Sequence, residues 1–395
     1  VVDLNLSRIV DIPDRLRVAR AKSFPNLGPR ILFFSGGSAL NDIARSLKHY
    51  THNSMHLITP FDSGGSSQVL REAFDMPAVG DLRSRLMALA DETVLGQPDI
   101  YRLFTYRFAV KAEPMALQEE FCSLLSGRHA MIRAVSQPMR GLILSQLKVF
   151  DQHRAPDFSF AGASVGNLIL AGGYLANERA LEPVLFLMSK MVAVKGTVRS
   201  IVDRNLDLGA LLMDGSTVIG QRQISGKEVA PITAPIKELF LVENGAAIEA
   251  ERVKLPERNR DAIADADLIC YAPGSLYSSV IANLLPAETG RTIAGRAVPK
   301  VYLPSLGSDP ECIGMTLVDQ VAAILQALRQ DVGDNCANSA LMDVVLCDSK
   351  SFDPSQAELL QHRFGIACVA VPLAQQDRAD RYDPDRVSEA LISMT

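Results

Sequence analysis

The sequence predicts an α/β protein: a doubly wound, mostly parallel sheet with helices on both faces and a β-rich insert. Three observations carry this reading. Short apolar runs alternate with helical stretches through most of the chain, and strands separated by helices imply parallel crossovers. Turns rich in glycine or serine recur at helix entrances, at Gly36, Gly64, Gly166 and Gly274. Hydrophobic residues are 48% and charged residues 22% of the chain, the balance of a large globular core. Its 395 residues would allow two or three domains. The alternation favours one α/β domain over 30–395, preceded by an arm over 1–29, with a helical insert at about 99–160 and a β-rich insert at about 193–255.

Taken in order, residues 1–29 read as an arm that lies on the domain rather than joining its sheet. Residues 31–34 are an apolar run suited to a buried strand. Ser35-Gly36-Gly37-Ser38 breaks it, and 39–48 recovers a helical face through Leu40, Ile43, Ala44 and Leu47. His49, His52 and His56 follow and read as surface residues. Residues 55–59 form a second strand that ends in Phe61-Asp62-Ser63-Gly64-Gly65-Ser66-Ser67, with a helix over 68–74. A third turn, Val79-Gly80-Asp81, lets Asp81 cap a helix over 82–91. Arg83 and Arg85 fall in its first turn, where cations are disfavoured, so they suggest an anionic partner or a carboxylate unless they are simply solvated.

The stretch 99–177 is mostly helical, around 115–125 and 139–152, and contains Ala161-Gly162-Ala163-Ser164-Val165-Gly166-Asn167 before an apolar helix over 168–175. Asn167 there suits a helix cap as well as a ligand contact. Residues 194–202, 210–213, 217–223 and 236–242 are strand-like, and Asp214-Gly215 signals a hairpin; no chemistry shows in this insert. Alternation then returns: a helix over 258–264, a strand over 267–271, the turn 272–279 opening a helix over 280–285, a strand over 300–303, a helix over 316–329, strands over 342–347 and 366–371, and helices over 355–363 and 385–394.

Composition excludes several roles. A net charge of -5 leaves no electrostatic footprint for nucleic acid. No apolar run is long enough to span a bilayer, and the mixed charges of the first twenty or so residues do not read as a secretory signal. Cys122, Cys270, Cys312, Cys336, Cys347 and Cys368 form no C-x-x-C pair, so neither a zinc site nor a disulfide framework is expected, and a cytoplasmic location is.

A strand, a glycine turn and a helix in that order aim backbone N–H groups and a positive dipole end at the carboxyl edge of the sheet. One such turn can be purely structural; four of them describe a cleft of donors suited to a diphosphate. Asp62 is the carboxylate embedded in these turns. It can hold magnesium with phosphate oxygens, accept a hydroxyl proton, or form an Asx turn.

SGGSALNDIARSLK, followed by ITPFDSGGSSQVLREAFDMPAVGDLRSRLMALAD, resembles the front half of the CofD-like family, the 2-phospho-L-lactate transferases and the YvcK-type gluconeogenesis factors. GASVGNLILAGGY and YAPGSLYSSVIANLL are similar to its two later signatures. DSGGSSQVLR with GDLRSRL looks more like the YvcK side. The resemblance implies a Rossmann-like fold and a nucleotide-diphosphate ligand of guanosine or uridine type, in a cytoplasmic homo-oligomer without nucleic-acid or membrane partners. It places Gly36, Gly37 and Ser38 on the first phosphate loop, Asp62 on a catalytic and magnesium-binding position, and Asn167 on the family asparagine. Gly274, Ser275 and Tyr277 fall on the last loop, and Gly64, Gly65, Ser66 and Arg83 join the ligand-binding set. Two departures stand out. Ser63 replaces the family's second aspartate, which weakens the case for a metal, and Ser305 replaces an asparagine. The stretch from about 331 onward extends beyond the resemblance. The leading expectation is transfer of a phosphoryl-type group to a hydroxyl; the alternative is a nucleotide-sugar-binding regulator without turnover. A nicotinamide dehydrogenase is disfavoured because G-x-G-x-x-G is missing.

Overall fold

The structure, a computed structural model, describes residues 9–93, 96–227 and 229–395; the first eight residues of the expected arm and Glu228 of the insert lie outside the described residues. Seven parallel strands form the main sheet: β1 Ile31–Ser35, β2 Met55–Ile58, β3 Thr197–Ser200, β8 Leu268–Tyr271, β9 Lys300–Tyr302, β10 Val344–Asp348 and β11 Ala367–Val371. Their order is β11-β10-β9-β8-β1-β2-β3. A second, antiparallel sheet joins β4 Asp207–Leu212, β5 Thr217–Ile219, β6 Ile236–Glu243 and β7 Ala246–Ile248 in the order β5-β4-β6-β7.

β1 is buried along its whole length because its residues alternate between two cores. Ile31 and Phe33 pack with Leu268, Cys270 and Leu391 on one face. Leu32 and Phe34 pack with Ile269, Tyr271 and residues of the antiparallel sheet on the other. The helices of 98–191 form a third core around Phe121, Phe150 and Phe160, which closes on Ile58 and Val198 at the β2–β3 end. The described part of the arm carries a helix, Arg15–Ser23, fastened to the last helix, Pro384–Ser393, by Asp14 N–H on Ser393 Oγ (2.7 Å) and by Lys22 on Glu389 (3.2 Å).

The strand order reverses at β1: β2 and β3 lie to one side, β8 through β11 to the other. Ligands of doubly wound sheets settle outside the carboxyl ends of the strands at such a reversal.

Several local expectations need correction. The stretch over 194–202 does not belong to the antiparallel insert; Thr197–Ser200 pairs in parallel with β2. The run over 217–223 breaks at Gly220 into a short strand and the helix Gln221–Ser225. The last turn opens a π-helix, Leu276–Val280, several residues before the expected α-helix. His56 is not a surface residue: β2 is flanked by β1 and β3, and its ring is buried between Ser54 and Arg85. Among the described residues no helix is long and apolar enough to cross a membrane.

Candidate functional site

Three helices begin at the carboxyl edge beside β1 and β2: Gly65–Phe74, Gly80–Leu89 and Val165–Ala176. None has its first turn capped by an N-cap side chain. They meet around Gly80, where an added Cβ would lie 2.6 Å from Ser67 Oγ, 3.6 Å from Asp62 Oδ2 and 4.0 Å from Asn167 Nδ2. Each uncapped helix start presents unpaired N–H groups and a partial positive charge, so the convergence forms an anion-attracting floor. Ser164, at the N-cap position of the third helix, is buried with a hydroxyl that finds no partner.

The loop after β1 lies against this floor. Gly36 passes so close to the ends of β2 and the last loop that a Cβ would stand 2.7 Å from Thr59 Oγ1 and 2.9 Å from Ser279 Oγ. Gly37 and Gly65 both adopt φ +47° and have open space above them, a backbone conformation glycine reaches without strain.

Asp81 does not cap its helix, which begins one residue earlier at Gly80. Its carboxylate reaches across to accept the Gly37 N–H at 2.7 Å. Burial first, then the charge of Asp62, raises its pKa to about 6; the Gly37 N–H, Arg85 and Arg83 oppose the rise. Asp62 is half-buried and accepts the Gly64 N–H at 3.0 Å, the Asx-turn geometry, with Oδ2 directed toward Gly80. Ser63 turns the other way and accepts the Arg222 N–H from the insert at 2.9 Å. The second carboxylate of the site is therefore Asp81 and not a neighbour of Asp62 in sequence.

The arginines are structural supports as well as charges. Arg85 is fully buried, donating to Asn41 Oδ1 at 2.8 Å and Ser35 Oγ at 3.2 Å and facing His56 Nδ1 at 3.0 Å. Arg83 donates from Nε to Asn167 Oδ1 at 2.7 Å and to the Phe104 carbonyl at 3.2 Å. Burial lowers the pKa of each to about 10, which leaves both cationic at neutral pH. Burial and Arg85 push His56 well down, so its ring is neutral. Asn167 is no helix cap either: the helix starts at Val165, and its amide serves Arg83. At the rim, Arg107 donates to Ser66 Oγ at 3.3 Å and to the Gly162 carbonyl at 2.6 Å.

The last loop sits on the far side of the Gly37 loop and behaves differently. Its N–H groups, expected to face a phosphate, already have anionic partners. Asp309 accepts the Leu276 N–H at 2.8 Å, and Glu311 accepts those of Tyr277 at 2.9 Å and Ser278 at 2.8 Å. Glu311 is fully buried, and burial followed by the charge of Asp309 raises its pKa. The Gly274 N–H goes to Ser305 Oγ at 3.0 Å. Tyr277 points into the core, its hydroxyl donating to the Ile236 carbonyl at 3.2 Å. Ser275 accepts from Lys227 Nζ at 2.8 Å, so the insert does contribute chemistry.

The structure thus gathers Asp62, Gly64, Gly65, Ser66, Arg83 and Asn167 on one side of the β1 loop, which itself supplies Gly36, Gly37 and Ser38; of these, Gly37 meets the site through Asp81. The structure leaves Gly274 and Ser275 on the other side and removes Tyr277. Sequence reasoning missed Ser164 and Lys227 and misread the job of Asp81; only Asp81 had a local signal, since it lies inside the GDLRSRL motif. Among the described residues no group of three or more His, Cys, Asp or Glu side chains could hold a metal, so a cation here would need ligand oxygens beside Asp62 and Asp81.

The model of the family described as 2-phospho-L-lactate transferase CofD matches residues 31–365. The match therefore runs past residue 331, where the recognisable motifs end, and takes in β10. The gluconeogenesis factor of Listeria monocytogenes is 26% identical over 93% of this chain and 95% of its own length. That of Bacillus subtilis is 28% identical over 82% of this chain and 79% of its own. A putative gluconeogenesis factor of Nostoc is 30% identical over 85% of this chain, which spans 58% of that longer protein. A crystal structure of a upf0052 family protein from Bacillus halodurans superposes with a TM-score of 0.65 at 24% identity, covering 92% of this chain and 99% of that one, a likeness of fold.

Proposed function

We propose, from the premise that this chain belongs to the 2-phospho-L-lactate transferase CofD family, that it holds a nucleoside-diphosphate-linked ligand as a binding protein of the gluconeogenesis-factor type. The ligand's phosphates lie over Gly37 and Gly65. The observation that carries this is the meeting of three uncapped helix starts around Gly80, since aligned N–H groups and helix dipoles favour anions. The relatives are named gluconeogenesis factors and the family model a transferase, so titration rather than name decides between binding and turnover. The test is calorimetric titration of the purified chain with nucleoside diphosphates and nucleotide sugars, alongside native mass spectrometry for a co-purified nucleotide. Binding in the micromolar range supports the reading, and no binding of any of them up to millimolar concentration overturns it.

A second reading, transfer of a phosphoryl-type group to a hydroxyl, is favoured by one observation: Asp62 and Asp81 form a carboxylate pair close enough for one charge to raise the other's pKa. Magnesium is commonly held by one or two carboxylates plus phosphate oxygens, so this pair fits the ion, which would neutralise charge on those oxygens. In this reading the acceptor oxygen bonds to the distal phosphorus, the bridging P–O bond breaks, and a nucleoside monophosphate leaves. Asp62 takes the hydroxyl proton, and Arg83 and the helix N–H groups steady the equatorial oxygens. Release of nucleoside monophosphate that requires both magnesium and a hydroxyl acceptor separates this reading from the first.

A further inference from the structure

On the side of the β1 loop away from Asp81 lies a cleft of about 270 Å³. Its near wall begins at Gly274, where an added Cβ would lie 4.0 Å from Ala39 Cβ, so it opens where the Gly37 loop ends. Its far wall is the segment 373–383, outside the family match that stops at residue 365. That wall is held rigidly. Asp348, ending β10, accepts the N–H groups of Leu373 and Ala374, each at 2.7 Å. Gln375 N–H donates to the Arg381 carbonyl at 2.9 Å, and Asp383 N–H to the Leu373 carbonyl at 2.7 Å. Tyr382 donates its hydroxyl to the Pro304 carbonyl. The closure leaves Arg381 exposed at the cleft, its guanidinium in no ion pair among the described residues, and Gln375 beside it with Nε2 on the Tyr382 carbonyl.

We infer that this cleft is the nucleoside subsite of the ligand proposed above, with Arg381 and Gln375 reading the base; the inference rests on that reading. Two features separate it from a phosphate site. The N–H groups of the adjacent last loop are already consumed by Asp309, Glu311 and Ser305. Of the acids lining the cleft, Asp42 is paired with Arg45 at 2.6 Å and Asp380 with Arg378 at 3.0 Å, which leaves Asp309 against Lys227 and Arg381, so charge alone does not select the occupant. Its volume falls just below the roughly 300–1,000 Å³ of sites that enclose a whole ligand, which suits one half of a ligand whose other half lies over Gly37. A preformed slot with fixed side-chain donors and acceptors discriminates by leaving a wrong base's polar groups unpaired.

The test titrates the full chain and its Arg381→Ala and Gln375→Ala variants with ADP, GDP, CDP, UDP and inorganic pyrophosphate, with a thermal melt to establish folding. The parent should prefer one base. Arg381→Ala should weaken the preferred nucleoside diphosphate about tenfold, as expected for one lost charged hydrogen bond, and flatten the preference while pyrophosphate affinity stays put. Gln375→Ala, which leaves the main-chain bonds of the wall intact, should flatten it in part and serves if Arg381→Ala does not fold. A parent without base preference, unchanged selectivity in the variants, or equal losses for pyrophosphate would overturn the subsite. A parent that binds neither nucleoside diphosphates nor pyrophosphate would fail the underlying reading instead and take the subsite with it.

Discussion

Asp81→Asn should make the protein more stable at neutral pH. The carboxyl of Asp81 titrates at about 6 in the fold against 3.8 in the unfolded chain, through burial and the charge of Asp62. The folded state therefore keeps a proton that the unfolded state has already released. Between about pH 4 and pH 6 the unfolded chain binds fewer protons, so stability falls as pH rises through that window and stays at the lower level above it. At about 1.4 kcal/mol per pKa unit the full displacement corresponds to about 3 kcal/mol, and solvent around a half-buried carboxylate reduces this to about 1–2 kcal/mol. The amide keeps an oxygen to accept the Gly37 N–H, now at 2.7 Å, and deletes the charge that faces Asp62. Urea unfolding of parent and variant at pH 4, 5, 6, 7 and 8 isolates the difference, because other titrating groups cancel. The variant should lead by about 1–2 kcal/mol at pH 7, with the lead vanishing near pH 4. Equal stability at pH 7, or a lead that grows toward acid, would refute the argument.

Three further outcomes follow from the same geometry. Gly37→Asp should cost about 1–2 kcal/mol for a non-glycine residue at positive φ and leave the fold intact, since nothing lies within 4 Å of the new Cβ. Its nucleoside-diphosphate affinity should fall at least about tenfold, a 1.4 kcal/mol effect; calorimetry showing unchanged affinity would remove the phosphate from this loop. Ser164→Ala deletes a buried hydroxyl without a partner, so unfolding free energy should hold or rise by up to about 1 kcal/mol while ligand affinity drops; unaltered affinity would mean the hydroxyl serves no ligand. Ser63→Asp restores the family's paired aspartate, yet Ser63 faces Arg222 in the insert. Magnesium dependence of nucleotide binding should therefore not increase, and a clear gain measured by paired titrations would place that side chain beside Asp62 after all.

The alternation of apolar runs and helical stretches made the parallel sheet legible, because each buried strand of such a sheet is a short, locally encoded run. Ile31–Ser35 and Leu268–Tyr271 were readable for that reason. Thr197–Ser200 was not assigned to this sheet, since its sequence fits an edge strand of either sheet and only the distant partner Met55–Ile58 decides. The glycine turns were also legible, each marking a helix start. What they bind was not, because hydrogen-bond partners separated by dozens of residues leave no local trace. Asp81 looked like a cap for its own helix, while its partner Gly37 lies 44 positions away. Lys227 sits in a polar turn of the insert and meets Ser275 only through packing. His56 gave no sign of burial, because a neutral ring stacked on Phe33 occupies a strand position like any aromatic.

The two glycine loops flanking β1 carry carboxylates on their N–H groups, and the difference between those carboxylates decides which loop is open to a ligand. At the last loop, Asp309 and Glu311 satisfy three successive N–H groups, and Glu311 has no exposed surface. Displacing Glu311 would strand a buried carboxylate without its donors, an effect of several kcal/mol, so a phosphate cannot take that place cheaply. At Gly37 a single N–H is held by Asp81, which keeps some exposed surface, and open space lies directly above the glycine. An incoming phosphate there takes over the N–H when Asp81 moves aside, and a cation between them would relieve the repulsion of Asp81 with both Asp62 and the phosphate. In the proposed complex the same asymmetry would orient the ligand, with its charged end over Gly37 and the uncapped helix starts and its neutral end beyond Gly274, against the wall of Gln375 and Arg381.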